Sequence, residues 1–109
     1  MFDINIMTKR TKDIIKIIDL HFSKQVNKDS LEYNRLLTHI KYFVDRVLRK
    51  EEIKVNGEDN IFKNMKQLYP YSVKCLDKIS NYLKNNEDYE LKEIEKLYLL
   101  IHIARLYEM

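Results

Sequence analysis

Apolar residues recur at every third or fourth position along most of the chain, the spacing that places them on one face of an α-helix. The clearest example runs from Tyr33 to Leu48, where apolar side chains at this spacing alternate with charged and polar ones. No stretch alternates convincingly with the period of two that is typical of a β-strand. The pattern predicts an all-α domain, a compact five-helix bundle with helices at about 5–24, 30–50, 60–69, 71–85 and 91–107.

Polar residues and one proline mark the breaks between these helices. Asp29 is predicted to cap the second helix, with Glu32 three residues later completing a capping box. The polar segment 51–60 contains the only glycine, Gly57, and is predicted to be the main loop. Pro70 lies where one helix must stop and the next can begin, since its ring fits a first helical turn but not an interior.

Composition supports the same fold class. The 109 residues include one Gly and one Pro, which favours long helices, and their length suits one domain spanning 1–109. A single cysteine, Cys75, excludes an internal disulfide and suits a reducing compartment, so a cytoplasmic location is expected. No apolar run approaches the length of a membrane span, and the first residues lack a signal-peptide pattern. The net charge of +3 is too mild to indicate nucleic-acid binding.

The phrase Leu-Leu-x-His-Ile occurs twice, at positions 36–40 and 99–103. Each copy places one of the three histidines, His39 or His102, inside an apolar helical run. Two histidines in matched settings indicate a shared role rather than chance.

Charged residues on the same helical faces suggest what that role is. Arg46 follows His39 by two turns and Arg105 follows His102 by one turn, so each ring has a guanidinium on its own face. A nearby cation keeps an imidazole neutral and nucleophilic, and it can pair with the dianionic group after phosphorylation. Glu95 precedes His102 by two helical turns, and its carboxylate is expected to bind the ring nitrogen that is not phosphorylated. The residues therefore predict phosphorylation of His39 and His102, supported by Arg46, Arg105 and Glu95.

Other interpretations remain open at this point. Histidines on amphipathic helices often have only a packing role. If that holds for His39 and His102, the domain is a phosphorylation-independent helical dimerisation module. His21 lacks the repeated phrase and is expected to be structural. A third interpretation is nucleic-acid binding through basic residues of the N-terminal half, namely Lys9, Arg10, Lys12 and Lys16.

Two further classes are not expected. The histidines lack the short spacing of a zinc motif and Cys75 has no cysteine partner, so neither a metal nor another cofactor is predicted. The sequence shows no nucleophile–base–orienter set and no glycine-rich phosphate loop, so it is not expected to be an enzyme.

Three segments resemble a known regulatory domain. Residues 29–43 with the following Arg46 resemble the first half of the PTS regulation domain (PRD) of transcriptional antiterminators of the BglG/LicT/SacY type. Residues 95–105 resemble the closing motif of that domain, and the stretch 69–71 resembles its middle. The resemblance covers nearly the whole chain and does not include the small RNA-binding domain of those regulators. It is closest to the second of their two PRDs, in part because Thr38 precedes the first histidine.

The resemblance implies a function and partners. It implies a five-helix bundle that forms a homodimer and controls transcription through histidine phosphorylation and rearrangement of the dimer. His39 and His102 match the histidines phosphorylated by the sugar phosphotransferase system, either by HPr or by a sugar-specific enzyme II. Arg46 and Arg105 match the accompanying arginines. The chain alone is not expected to bind nucleic acid or a membrane.

Overall fold

Five α-helices make up the regular structure of the computed structural model, which describes residues 4–23, 26–51 and 59–108. The all-α, five-helix prediction is confirmed, and every predicted helix boundary lies within two residues of the observed one. The predicted loop at 51–60 has positions 52–58, including Gly57, outside the described residues. The helices are α1 (Ile4–Phe22), α2 (Leu31–Arg49), α3 (Asp59–Leu68), α4 (Pro70–Glu87) and α5 (Glu93–Tyr107).

The cap of α2 is Ser30 and not Asp29, which corrects the prediction by one residue. The Ser30 side chain accepts a hydrogen bond from the backbone N–H of Tyr33 at 3.1 Å, while the Asp29 N–H donates to the side chain of Asn27. Ser30 has the extended backbone of a cap residue, which places Tyr33 at the third helical position. Glu32 therefore lies one position too early to complete a capping box.

The junction of α3 and α4 turns at Tyr69 and Pro70. Tyr69 still donates its N–H to the Met65 carbonyl of α3, and its own carbonyl accepts the N–H of Val73 in α4. Pro70 is the first residue of α4, where no backbone N–H is needed, as the sequence predicted.

The core is centred on α5, which packs against α2, α3 and α4. Apolar positions of both repeated phrases are fully buried: Leu36 and Ile40 on α2, and Leu100 and Ile103 on α5. Burying these side chains is the main favourable term in folding such a bundle. Through these side chains α2 and α5 pack against each other along the faces that carry the two histidines.

Polar contacts join the helices at the edge of this core. Arg10 of α1 pairs with Glu87 of α4 at 2.7 Å and also donates to the Tyr82 hydroxyl, which in turn donates to Asp13 at 2.6 Å. Burial and then the hydrogen bond to Asp13 raise the pKa of Tyr82 to about 12, and Arg10 acts in the opposite direction. Arg10 and Lys9, two of the cations in the nucleic-acid interpretation, thus have intramolecular carboxylate partners, Lys9 pairing with Asp13.

His21 holds α1 against α4. Its Nε2 lies 2.9 Å from the Tyr71 carbonyl oxygen, and the Tyr71 hydroxyl donates to the His21 carbonyl at 2.9 Å. Because a carbonyl can only accept, Nε2 carries the proton. The buried ring and its Nε2 bond agree with the structural role expected for His21, although Nδ1 has no hydrogen-bond partner among the described residues.

No helix in the described part of the chain combines the length and apolar character needed to cross a lipid bilayer.

Candidate functional site

His39 of α2 and His102 of α5 adjoin each other across the helix pair. Their ring centroids are 4.1 Å apart and their planes are inclined by 42°. Each ring lies within a phrase whose apolar residues are buried in the α2–α5 contact, and this burial fixes the position of both rings. The sequence singled out both histidines, and the structure brings them together as one candidate site, the histidine pair.

The histidine pair is half-buried, so neither ring is sealed in the core. The Tyr98 ring stands edge-on to His39, with a centroid distance of 6.0 Å and an interplanar angle of 87°. Tyr98 itself is exposed, as is Tyr42, one turn beyond His39 on α2. The pair therefore has apolar packing beneath it and exposed aromatic residues beside it.

Burial and nearby cations lower the pKa of both rings. For His39 the larger cause is desolvation by burial, followed by the charge of Arg46. For His102 burial again comes first, followed by His39, Arg105 and Arg35. The lowered pKa values favour the neutral form of both imidazoles, and a neutral imidazole has the free electron pair that a nucleophile needs.

The arginines differ in their ion pairs. Arg10 and Arg49, which are not among the groups that shift the pKa of either ring, pair with carboxylates. Arg35, Arg46 and Arg105, which act on the pair, form no ion pair with any carboxylate in the described part of the chain. Three uncompensated guanidinium groups beside two neutral imidazoles favour binding of an anion.

Arg46 shows this lack of compensation most directly. Its Nε is buried and has no hydrogen-bond partner among the described residues. The guanidinium lies 6.0 Å from the centroid of the Phe43 ring, a contact that places the cation without neutralising it. An unpaired buried donor is unfavourable, and an acceptor bound beside it would satisfy its hydrogen-bonding capacity.

Glu95 does not have the position that the sequence predicted for it. Its carboxylate, fully buried, accepts the Tyr89 hydroxyl at 2.9 Å and the backbone N–H of Lys92 at 3.0 Å. These bonds satisfy the first turn of α5, where an acidic side chain at the third helical position caps the helix start. Glu95 is two turns from His102 along α5 and supports the helix rather than the ring.

Arg35 is the contributor to which the sequence assigned no role. It lies one turn before His39 on α2, yet its charge lowers the pKa of His102 on the other helix. Its spacing from His39 was the available signal, but only the packing of α2 on α5 shows that it acts across the pair.

The described residues contain no group of three or more His, Cys, Asp or Glu side chains placed to hold a metal ion. The cationic surroundings of His39 and His102 also oppose cation binding there. The chemistry that this arrangement supports is nucleophilic attack by a neutral ring on an electrophile carrying negative charge.

Comparisons with known proteins agree on one family. The PRD domain model matches residues 12–106. The chain is 34% identical over 100 residues to transcription antiterminator LicT of Bacillus subtilis, a match that covers 92% of this chain and 36% of LicT. It is 26% identical over 100 residues to the beta-glucoside operon antiterminator of Dickeya chrysanthemi, covering 92% of this chain and 35% of that protein. It is 29% identical over 108 residues to protein GlcT of Staphylococcus aureus strain JH9, covering 99% of this chain and 38% of GlcT. The chain thus spans little more than a third of the length of these relatives.

Proposed function

The chain belongs to the PRD domain family, and on that basis we propose that it is a regulatory domain phosphorylated on His39 or His102 by the sugar phosphotransferase system. Its relatives include transcription antiterminators, so its class is regulatory and not enzymatic. The donor in this proposal is HPr or a sugar-specific enzyme II, both acting in the cytoplasm. The output is control of transcription, by antitermination or activation, through rearrangement of a homodimer.

The observation that carries the proposal is the unpaired Arg46 guanidinium beside the neutral His39 ring. Before transfer, the cation favours the neutral and nucleophilic form of the ring. After transfer, the same guanidinium gains an acceptor with three oxygens and close to two negative charges. One group therefore favours both the reactant and the product of the transfer.

The transfer itself needs little from this chain beyond an accessible ring. The donor positions its phosphoryl group in line with the ring nitrogen, and positioning and charge stabilisation account for most of phosphoryl-transfer catalysis. The half-burial of His39 and His102 leaves each ring an approach for a partner protein.

The exposed tyrosines beside the rings support a dimer interface near the site. Tyr42 is 66% exposed and Tyr98 is 44% exposed, and both flank the histidine pair. Aromatic side chains of this kind are enriched where protein surfaces meet. A phosphoryl group added next to them alters the charge of that surface, a local event that rearranges a dimer.

The test is phosphorylation of the purified protein with enzyme I, HPr and phosphoenolpyruvate, followed by measurement of acid-labile phosphate and intact mass. We expect label on the wild-type protein and none on the His39→Ala, His102→Ala double variant. His21→Gln is the matched control, since it removes the third imidazole and keeps an N–H donor for the Tyr71 carbonyl. Unchanged labelling of the double variant contradicts the site assignment, and an unlabelled wild type with either donor class contradicts the proposal.

The same exposed tyrosines also favour a second candidate, a dimerisation module that works without phosphorylation. In that case sedimentation of the protein gives a dimer whose stability is the same before and after exposure to the phosphorelay. The substitution Tyr98→Ser weakens the dimer in both candidates, so the response to the phosphorelay decides between them.

A further inference from the structure

We propose that His39 and His102 form one coupled acceptor, in which a phosphoryl group on either ring makes the other ring its cationic counter-ion and slows modification of that second ring. The proposal rests on the proposed function and adds a rule for its regulation. Chains that carry one phosphoryl group are favoured over chains that carry two.

The geometry supplies the coupling. With ring centroids 4.1 Å apart, a group bonded to one imidazole lies within a few ångströms of the other. Charges at such separations interact strongly, and more so where the rings are partly withdrawn from water. The two rings therefore cannot change charge independently.

Among the described residues, the charged side chains that shift the pKa of the pair are all positive. They are Arg35 and Arg46 on α2 and Arg105 on α5. Each histidine also opposes protonation of the other, as the effect of His39 on His102 shows. Both rings are then neutral, and either one can act as the nucleophile.

The first phosphoryl transfer adds negative charge to a site whose neighbouring charges are positive. The P–N bond of a phosphohistidine donor breaks and its electron pair returns to the donor ring, while a new P–N bond forms to one ring of the pair. The proton on the acceptor ring's other nitrogen passes through solvent to the donor ring. The chain now holds a group with close to two negative charges beside the second imidazole.

An opposite charge within 4–6 Å favours the protonated form of an imidazole. The second ring therefore takes a proton from solvent, becomes an imidazolium and donates to the phosphoryl oxygens. An imidazolium has no free electron pair, so it does not attack a second donor. Repulsion between two phosphoryl groups acts in the same direction.

A fixed negative charge tests the coupling without any phosphorelay. His39→Asp places a carboxylate beside His102, and His39→Asn is the neutral control of the same shape. The ring-proton NMR titration of His102 is expected to give a pKa below 6.5 in the wild type and in His39→Asn, and above 6.5 in His39→Asp. The reciprocal variants, His102→Asp and His102→Asn, test the same effect on the NMR titration of His39. The His21 signal, from a ring packed on Tyr71 of α4, reports that each variant is folded. Equal titrations for the Asp and Asn variants overturn the proposal.

The second test is a time course of phosphorylation followed by intact mass. Singly phosphorylated chains are expected to accumulate, with the second addition at least tenfold slower near pH 7 and less retarded at higher pH, where the imidazolium loses its proton. Equal rates for the two additions overturn the proposal. A chain that accepts no phosphoryl group contradicts the proposed function instead, and the aspartate series still decides whether the rings are coupled.

Discussion

Arg46 lies two turns beyond His39 on the same face of α2, and its charge lowers the pKa of the His39 ring while its own Nε has no hydrogen-bond partner among the described residues. A fold selected for stability alone would place a carboxylate beside such a buried donor, as it does for Arg10 with Glu87. Arg46 is the described arginine whose Nε is buried without a hydrogen-bond partner, and it lies on the helical face of His39.

Removing this cation should alter the ring before and after phosphorylation. In Arg46→Gln, the His39 pKa is expected to rise, though not to its ordinary value, because burial is the larger cause of its lowering and persists. Loss of a charge-assisted hydrogen bond, worth about 1.5–3 kcal/mol, is expected to reduce the equilibrium constant for phosphorylation roughly tenfold or more. NMR titration and intact mass measure the two effects. Arg49→Gln is the control, since that arginine pairs with Asp45, and an equal response of both variants contradicts the role of Arg46.

The histidine pair also predicts how stability depends on pH. Both folded-state pKa values lie below the ordinary 6.5, so the unfolded chain binds more protons than the folded one as the pH falls through 6.5. The free energy of unfolding is therefore expected to decrease from about pH 7.5 towards pH 5 and to level off, for this contribution, below the folded pKa. Denaturant unfolding across this range measures it. A variant with His39→Asn and His102→Asn is expected to show a smaller decrease, and an equal or larger one contradicts the assignment.

The sequence predicted the helices well because helical periodicity is a local property. Leu36, Ile40 and Phe43 recur at helical spacing and are buried on one face of α2, as that spacing requires. The ends of the helices depend on single hydrogen bonds, and for α2 the sequence analysis predicted Asp29, while the adjacent Ser30, also a cap-forming residue type, forms the bond. Only the backbone geometry distinguishes them.

The sequence named His39 and His102 as candidates but did not predict that they adjoin. His39 and His102 belong to helices that are distant in sequence, and their adjacency depends on how α2 packs on α5. A local pattern carries no information about that packing. For Glu95 the sequence predicted a contact that the structure does not form. Helical spacing suggested His102 as its partner, but its carboxylate in the first turn of α5 binds the Tyr89 hydroxyl and the Lys92 N–H.

The cap of α2 gives a direct comparison between two adjacent residues. Ser30→Ala removes the acceptor for the Tyr33 N–H and is expected to lower the free energy of unfolding by about 1 kcal/mol. Asp29→Ala, at the position that the sequence favoured, is expected to change it by less than about 0.5 kcal/mol. Urea denaturation of both variants measures the difference. The reverse order of effects would return the cap to Asp29.

The two acidic residues in the first turn of α5 separate the structural role of Glu95 from the role predicted by sequence. Glu95→Gln weakens the hydrogen bonds of a buried carboxylate to Tyr89 and Lys92, and is expected to lower the free energy of unfolding by about 1–3 kcal/mol. The His102 titration is expected to stay the same, since Glu95 is not among the groups that shift its pKa. Glu93→Gln is the matched control, because Glu93 is exposed in the same turn and shares the interaction with the helix dipole. A Glu95→Gln protein of unchanged stability with a shifted His102 titration would show that this carboxylate acts on the ring after all.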